Sequence, residues 1–244
     1  LSSAAVKELL GAENCGIRVF KLSGADVDDD ECSELLQVAA SNPSLTDLDL
    51  SQNLIGLKEP HKVGDPEYET GVDAIAKFLE SAKLLRILNL SRNYIGVQGE
   101  KESSSAVKLA RSICKNTSLV TLNLAYNSMK NLPAQELGNS LNFNETLEEL
   151  DLSNNNLTPG ACSVIASSFA HNPSLTLLNL DGNAPGVIGS RDLLQALRNL
   201  KSDRRKLFVS MMNCNSEVTD DSLFDVLNPH SKTYTLHVSR PYDR

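Results

Sequence analysis

Apolar and polar residues alternate along this chain in a pattern that keeps returning: apolar at a first, fourth and sixth position, Asn at the ninth, apolar at the eleventh. It reads Leu45, Leu48, Leu50, Asn53, Ile55, and again Leu85, Leu88, Leu90, Asn93, Ile95. Further copies are Leu119, Leu122, Leu124, Asn127, Met129, then Leu147, Leu150, Leu152, Asn155, Leu157, then Leu175, Leu178, Leu180, Asn183. Degenerate copies flank them. One holds Ile17, Phe20, Leu22 and Val27 with Ala25 in the Asn slot; the other holds Leu207, Met212 and Asn215 with Ser210 intruding on an apolar slot. First positions 17 and 45, 119 and 147, and 147 and 175 lie 28 residues apart. Self-similarity at such a period is the mark of a stacked repeat.

Within each copy the apolar period of two predicts a short strand, and the period then changes to about 3.6, which predicts a helix. Cys32, Leu35, Leu36 and Ala39 carry the helical spacing, as do Val72, Ile75, Ala76 and Leu79, then Ala106, Leu109, Ala110 and Ile113, and a variant at Leu193, Leu194, Leu197 and Leu200. Asn14, Asn42, Asn116, Asn144 and Asn172 each precede a first apolar position by three residues. They are expected to end the helices in a left-handed conformation. A helix is wider than a strand, so stacked repeats should curve into an arc of about seven or eight repeats with strands inside. At about 4.8 Å per strand the inner sheet would run about 30 to 40 Å. The template Asn residues should point inward and satisfy backbone groups of the turns.

The 28-residue step, the L-x-x-L-x-L-x-x-N core and the full helix per repeat resemble the ribonuclease-inhibitor subtype of leucine-rich repeat, which includes the activator of the Ran GTPase and tropomodulin-type proteins. The resemblance implies an α/β right-handed solenoid, with a parallel sheet on the concave face and helices on the convex face, that works by binding proteins. It also leaves room for a second role, activation of a small GTPase. The C-terminal Asn228-Pro229-His230, Tyr234, Leu236, Val238 and Pro241-Tyr242-Asp243-Arg244 resemble large protist or algal repeat proteins, some of them flagellar. The chain opens on Leu1 and is read as one repeat domain, residues 1–244, cut from something longer.

Composition narrows the function. A net charge of -8 supplies no basic field for a phosphate backbone or an anionic membrane. Five cysteines, spaced without a CxxC pair, point to a reducing compartment, hence the cytoplasm, with a cytoskeletal or ciliary address open. Cys32 and Cys114 are expected to be buried hydrophobes. Asp26, Asp28 and Asp30 open like an EF-hand loop, but Glu31 stands where Gly is needed and Gln37 where the bidentate Glu is needed. These acids are read instead as the start of a helix, opposing its positive end. No catalytic motif, metal ligand set or cofactor site is expected.

Recognition is therefore assigned to the side chains that alternate with the buried leucines. The central outward row is Lys21, Asp49, Asn89, Asn123, Asp151, Asn179 and Met211; the row before it is Val19, Asp47, Ile87, Thr121, Glu149, Leu177 and Val209. With Asp181 added this surface is polar and acidic, which favours a basic or polar protein partner. Arg92 and Tyr126, just past two strands, are of the types that dominate binding energies. Two repeats are overlong, with insertions near 56–70 and 96–103 on one rim. The first carries Lys58, His61, Lys62 and Tyr68 as candidate contacts.

Overall fold

A computed structural model describes residue 10 and residues 15–57, 69–97, 104–201, 205–214 and 233–238. Strands and helices alternate in the order β1 (Val19–Lys21), α1 (Asp29–Ala39), β2 (Asp47–Asp49), α2 (Gly71–Ser81), β3 (Ile87–Asn89), α3 (Ser105–Lys115), β4 (Thr121–Asn123) and α4 (Asn131–Leu141). They continue as β5 (Glu149–Asp151), α5 (Pro159–Ser168), β6 (Leu177–Asn179), α6 (Gly186–Arg198), β7 (Leu207–Met211) and β8 (Tyr234–Val238). The eight strands form one sheet in sequence order, and every neighbouring pair is parallel. This is the leucine-rich repeat solenoid, with the helices packed behind an open parallel sheet.

Register follows from the leucine pattern. Leu48 pairs with Leu88, Leu88 with Leu122, Leu122 with Leu150 and Leu150 with Leu178. All five are 0–1% exposed. A one-residue slip would turn this column out to water and bring the polar row inside, so the buried column fixes the pairing. Each buried leucine contributes about 1.5–3 kcal/mol relative to an exposed one. The helical apolar positions read from sequence, Cys32 to Ala39, Val72 to Leu79, Ala106 to Ile113, and Leu193, Leu197 and Leu200, join the same core, while Leu194 is buried outside that cluster.

The template asparagines form a buried ladder. Asn155 Oδ1 accepts the N–H groups of Asn127 at 3.0 Å and Met129 at 3.1 Å, and its Nδ2 donates to Leu124 O at 2.8 Å. Asn53, Asn93, Asn127 and Asn183 repeat the arrangement, each reaching from its own turn to the turn of the preceding repeat. Amides that curvature would strand inside the solenoid are thus paired.

The second set of asparagines departs from expectation. Asn42, Asn116, Asn144 and Asn172 do not adopt positive φ. They are buried and build a ladder of their own at the opposite end of the strands. Asn172 Oδ1 accepts from Ser174 N at 3.1 Å and Leu175 N at 2.7 Å, while Nδ2 donates to Leu141 O and Asn144 O, both at 2.8 Å. Asn144 and Asn116 do the same one and two repeats earlier. The helix-to-strand turn leaves buried carbonyls that an amide can satisfy, and that need outweighs the conformational preference of Asn.

Two further readings change. β7 pairs Leu177 with Phe208, Leu178 with Val209 and Asn179 with Ser210. Leu207, Val209 and Met211 therefore face the core, and Ser210, rather than intruding on it, faces out. This frame buries three apolar residues of the strand. It also places Cys214 in the Asn slot, where its thiol donates to Leu180 O at 3.3 Å. Cys114, expected inside, is exposed at the end of α3, whereas Cys32 and Cys162 are buried, and all five cysteines are free thiols.

The acidic run does begin a helix. Asp28 caps α1, accepting from Asp30 N at 3.0 Å and Glu31 N at 2.9 Å, and Glu31 completes the capping box. Asp29 has a different task. Only 1% exposed, its Oδ1 accepts from Gly56 N at 3.0 Å and Gly71 N at 2.7 Å, tying α1 to both ends of the overlong β2–α2 connection. Gly71 permits this approach, because a Cβ there would meet Asp29 Oδ1 at 2.9 Å and Asp29 Cα at 3.0 Å.

Candidate protein-binding face

The strand alternation that buries the leucines presents two parallel rows on the other face of the sheet. Pairing sets Val19, Asp47, Ile87, Thr121, Glu149, Leu177 and Phe208 side by side, and likewise Lys21, Asp49, Asn89, Asn123, Asp151, Asn179 and Ser210. Phe208 and Ser210 replace Val209 and Met211 of the expected rows. Val19, Ile87 and Leu177 are exposed aliphatics among the polar neighbours. Across β1 to β7 these rows carry four carboxylates, Asp47, Asp49, Glu149 and Asp151, against one ammonium, Lys21.

The second row also has a local structural duty. Asp49 Oδ1 accepts from Ser51 N at 2.9 Å, Asn89 from Ser91 N at 3.1 Å, Asn123 from Ala125 N at 2.9 Å, Asp151 from Ser153 N at 2.8 Å and Asn179 from Asp181 N at 3.0 Å. Each closes an Asx turn where the strand ends. This accounts for the unbroken Asp/Asn at that row from β2 to β6; the sequence signal was the residue type itself, two positions before the turn. Between β5 and β6 the second atom of the group is used as well, Asn179 Nδ2 donating to Asp151 Oδ2 at 3.2 Å. Asp181 is likewise engaged, its Oδ1 accepting from Ser210 Oγ and Met212 N, both at 2.7 Å. Asp47 and Glu149, in the first row, have no turn to close.

Arg92 and Tyr126 come together at the rim past β3 and β4, the guanidinium carbon 4.1 Å from the ring centroid. Lys58, His61, Lys62 and Tyr68 of the first insertion, and residues 98–103 of the second, lie outside the described residues. The described roots of both insertions, at Gly56 and Gly96, stand on that rim. At the far end of the sheet Phe208 meets His237 edge-on, with ring centroids 4.6 Å apart. Among the described residues no group of three or more His, Cys, Asp or Glu is placed to hold a metal ion, and no helix is long and apolar enough to cross a membrane.

A leucine-rich repeat family model matches residues 41–58 and 143–166. The chain is 31% identical to mouse ribonuclease inhibitor over 210 residues, which take in 85% of this chain and 40% of the inhibitor. It is 30% identical to a protein phosphatase 1 regulatory subunit 37 homolog of Caenorhabditis briggsae over 171 residues, 69% of this chain and 18% of that protein. It therefore spans less than half the length of either relative. Among solved structures, the leucine-rich repeat-containing protein LegL7 of Legionella pneumophila superposes with a TM-score of 0.53, covering 96% of this chain and 77% of its own, at 17% identity. That last likeness is one of fold. The repeat in the sequence, the register of the sheet and these matches agree: the chain is a leucine-rich repeat protein of the ribonuclease-inhibitor-like kind.

Proposed function

We propose that the chain is a non-catalytic binding module that recognises a protein partner with its inner sheet face and the adjoining rim, as a part of a larger assembly in the cytoplasm. The observation that carries this reading is the sheet face itself: two continuous rows of partly exposed polar and aliphatic side chains, held rigidly by the buried leucine column behind them. Residues held by strand pairing lose little freedom on binding, which lowers the cost of association. The names of the two curated relatives describe action on other proteins, a ribonuclease and a phosphatase.

The excess of carboxylates favours a partner with a basic or polar surface. We assign contacts to Asp47, Asp49, Asn89, Asn123, Glu149, Asp151, Asn179 and Asp181, with Arg92 and Tyr126 on the rim and Lys58, His61, Lys62 and Tyr68 in the first insertion. A standard interface would cover about 800 Å² of this chain. Crosslinking mass spectrometry of the chain with a captured partner tests the assignment. Crosslinks and protection should concentrate on the inner face and the strand-end rim; a footprint confined to the exposed sides of α1 to α6 would refute it.

A further inference from the structure

Past each of β1 to β7 the turn holds a left-handed residue at one equivalent place. The series is Gly24, Gln52, Arg92, Tyr126, Asn154, Gly182 and Asn213, with φ between 55° and 67°. Gly adopts this conformation freely and Asn at little cost, whereas a bulky side chain gives up about 1–2 kcal/mol. Gln52, Arg92 and Tyr126 are thus the costly occupants of the series, in three successive repeats. Gln52 Nε2 donates back to Ser23 Oγ at 3.3 Å, whereas Arg92 and Tyr126 turn to each other, Arg92 N donating to Ala125 O at 2.8 Å. Strain of this kind marks places where the side chain serves something other than stability.

The surroundings say what that is. Tyr94, Val97 and Tyr126 are exposed by 36%, 48% and 46%, and Leu57, one repeat earlier on the same rim, by 46%. The turns bearing them are drawn together by backbone bonds, Tyr94 N to Ile55 O and Gly96 N to Asn127 O, both at 2.9 Å. Gly56 and Gly96 allow the approach, since a Cβ would fall 2.7 Å from Tyr94 O and 2.1 Å from Ser128 O respectively. The exposed apolar side chains therefore share one stretch of rim. Arg92 stacks on Tyr126 and forms no ion pair among the described residues. A guanidinium held flat against a ring keeps its fork of donors free for a carboxylate.

We propose that this rim is a docking site for a partner segment in which an Asp or Glu stands beside a Leu, Phe or Met. The carboxylate pairs with Arg92, and the apolar neighbour packs on Tyr126 and Tyr94. The inference rests on the binding-module reading and adds to it a second chemistry, opposite in charge to the inner face. A partner that offers basic groups to the hollow and an acidic-apolar segment to the rim is then fixed in orientation as well as in place.

The test is selection of a random dodecapeptide library on the full chain, with counter-selection on a chain carrying Arg92→Asn and Tyr126→Asn, the residue type that fills this turn at 154 and 213. Enriched peptides should hold Asp or Glu within two residues of Leu, Phe or Met. They should bind the counter-selection variant about tenfold or more weakly, and lose a similar factor when their acid becomes an amide. The variant should melt no lower than the parent, because the turn strain is relieved. Affinity for an Asp47→Lys, Glu149→Lys chain should be unchanged. Enriched peptides without an acid, or indifferent to the rim variant, overturn the proposal. If they instead respond to Asp47→Lys and Glu149→Lys, the inner face remains a binding surface and only the rim inference fails; no enrichment at all defeats both.

Discussion

Asn183 Oδ1 accepts the backbone N–H of Asn155 at 3.0 Å, so the amide of one repeat closes the turn of the repeat before it. The same oxygen takes Leu157 N at 3.0 Å, and Asn183 Nδ2 returns a bond to Leu152 O at 2.9 Å. Stability along the solenoid is therefore passed between neighbours through side chains as well as through the sheet.

Asn155→Ala removes the side-chain acceptor of both Asn127 N and Met129 N at a site with no exposure, and leaves Leu124 O with only the Asn127 Nδ2 bond at 3.1 Å of its two amide donors. Loss should be about 2–4 kcal/mol, since each stranded buried group costs about 1–3 kcal/mol and neighbouring water recovers part of it. Urea denaturation of parent and variant measures it. A change under about 0.5 kcal/mol would mean that the ladder is not needed.

Acid should weaken the helical layer at one identifiable place. Burial of Asp73 works to raise its pKa, but the Lys108 ammonium, the Thr70 N–H and the hydroxyls of Ser105 and Thr70 outweigh burial and hold the carboxyl below its ordinary value. The ammonium lies 2.8 Å away, across α2 and α3. A folded-state pKa lowered in this way adds stability above the unfolded value of about 3.9, and that contribution is lost as pH falls through the folded value. The gap in unfolding free energy between the parent and Asp73→Asn should thus be present at pH 7 and close below about pH 4. A gap that persists or widens in acid would contradict the assignment.

Thiol reactivity should divide by position. Cys114 is exposed and should react with a maleimide or an aromatic disulfide in the native chain. Burial pushes Cys162 up to about 12 and Cys214 up to about 11, and pushes Cys32 higher still, so these should stay inert until the chain unfolds. Mass mapping after brief native labelling checks this; early modification of Cys32 or Cys162 would show that the core opens.

Much of the fold could be read directly from the sequence because Leu48, Leu88, Leu122, Leu150 and Leu178 each answer to one requirement, burial, and the pattern of burial repeats. What escaped reading was whatever had two acceptable answers. Residues 206–211 alternate well enough to fit either frame, and the choice for Ser210 depended on the neighbouring strand. Asn172 is compatible both with a left-handed helix end and with a buried amide bridge; only the stranded carbonyls of Leu141 and Asn144 decide between them. The two outward rows stand where the alternation placed them as far as β6, yet the duty of Asp49, Asn89 and Asp151 in closing turns was invisible, because the same side chain that sits in the outward row also bonds Ser51, Ser91 or Ser153. Cys114 was misplaced because a helix end leaves room for a side chain to turn to solvent.

That double duty determines how the central claim must be tested. Replacing Asp49 or Asp151 by Lys would break a turn as well as reverse a charge, whereas Asp47 and Glu149 close no turn. The decisive measurement is the dissociation constant of a captured partner for the parent and for an Asp47→Lys, Glu149→Lys chain, by calorimetry at two salt concentrations, with Glu80→Lys on the helical side as control. Recognition in the hollow predicts at least about tenfold weaker binding and a shallower salt dependence for the inner-face variant, at unchanged melting temperature, and parent-like binding for the control. Equal affinity for parent and inner-face variant, with loss on Glu80→Lys, would contradict it.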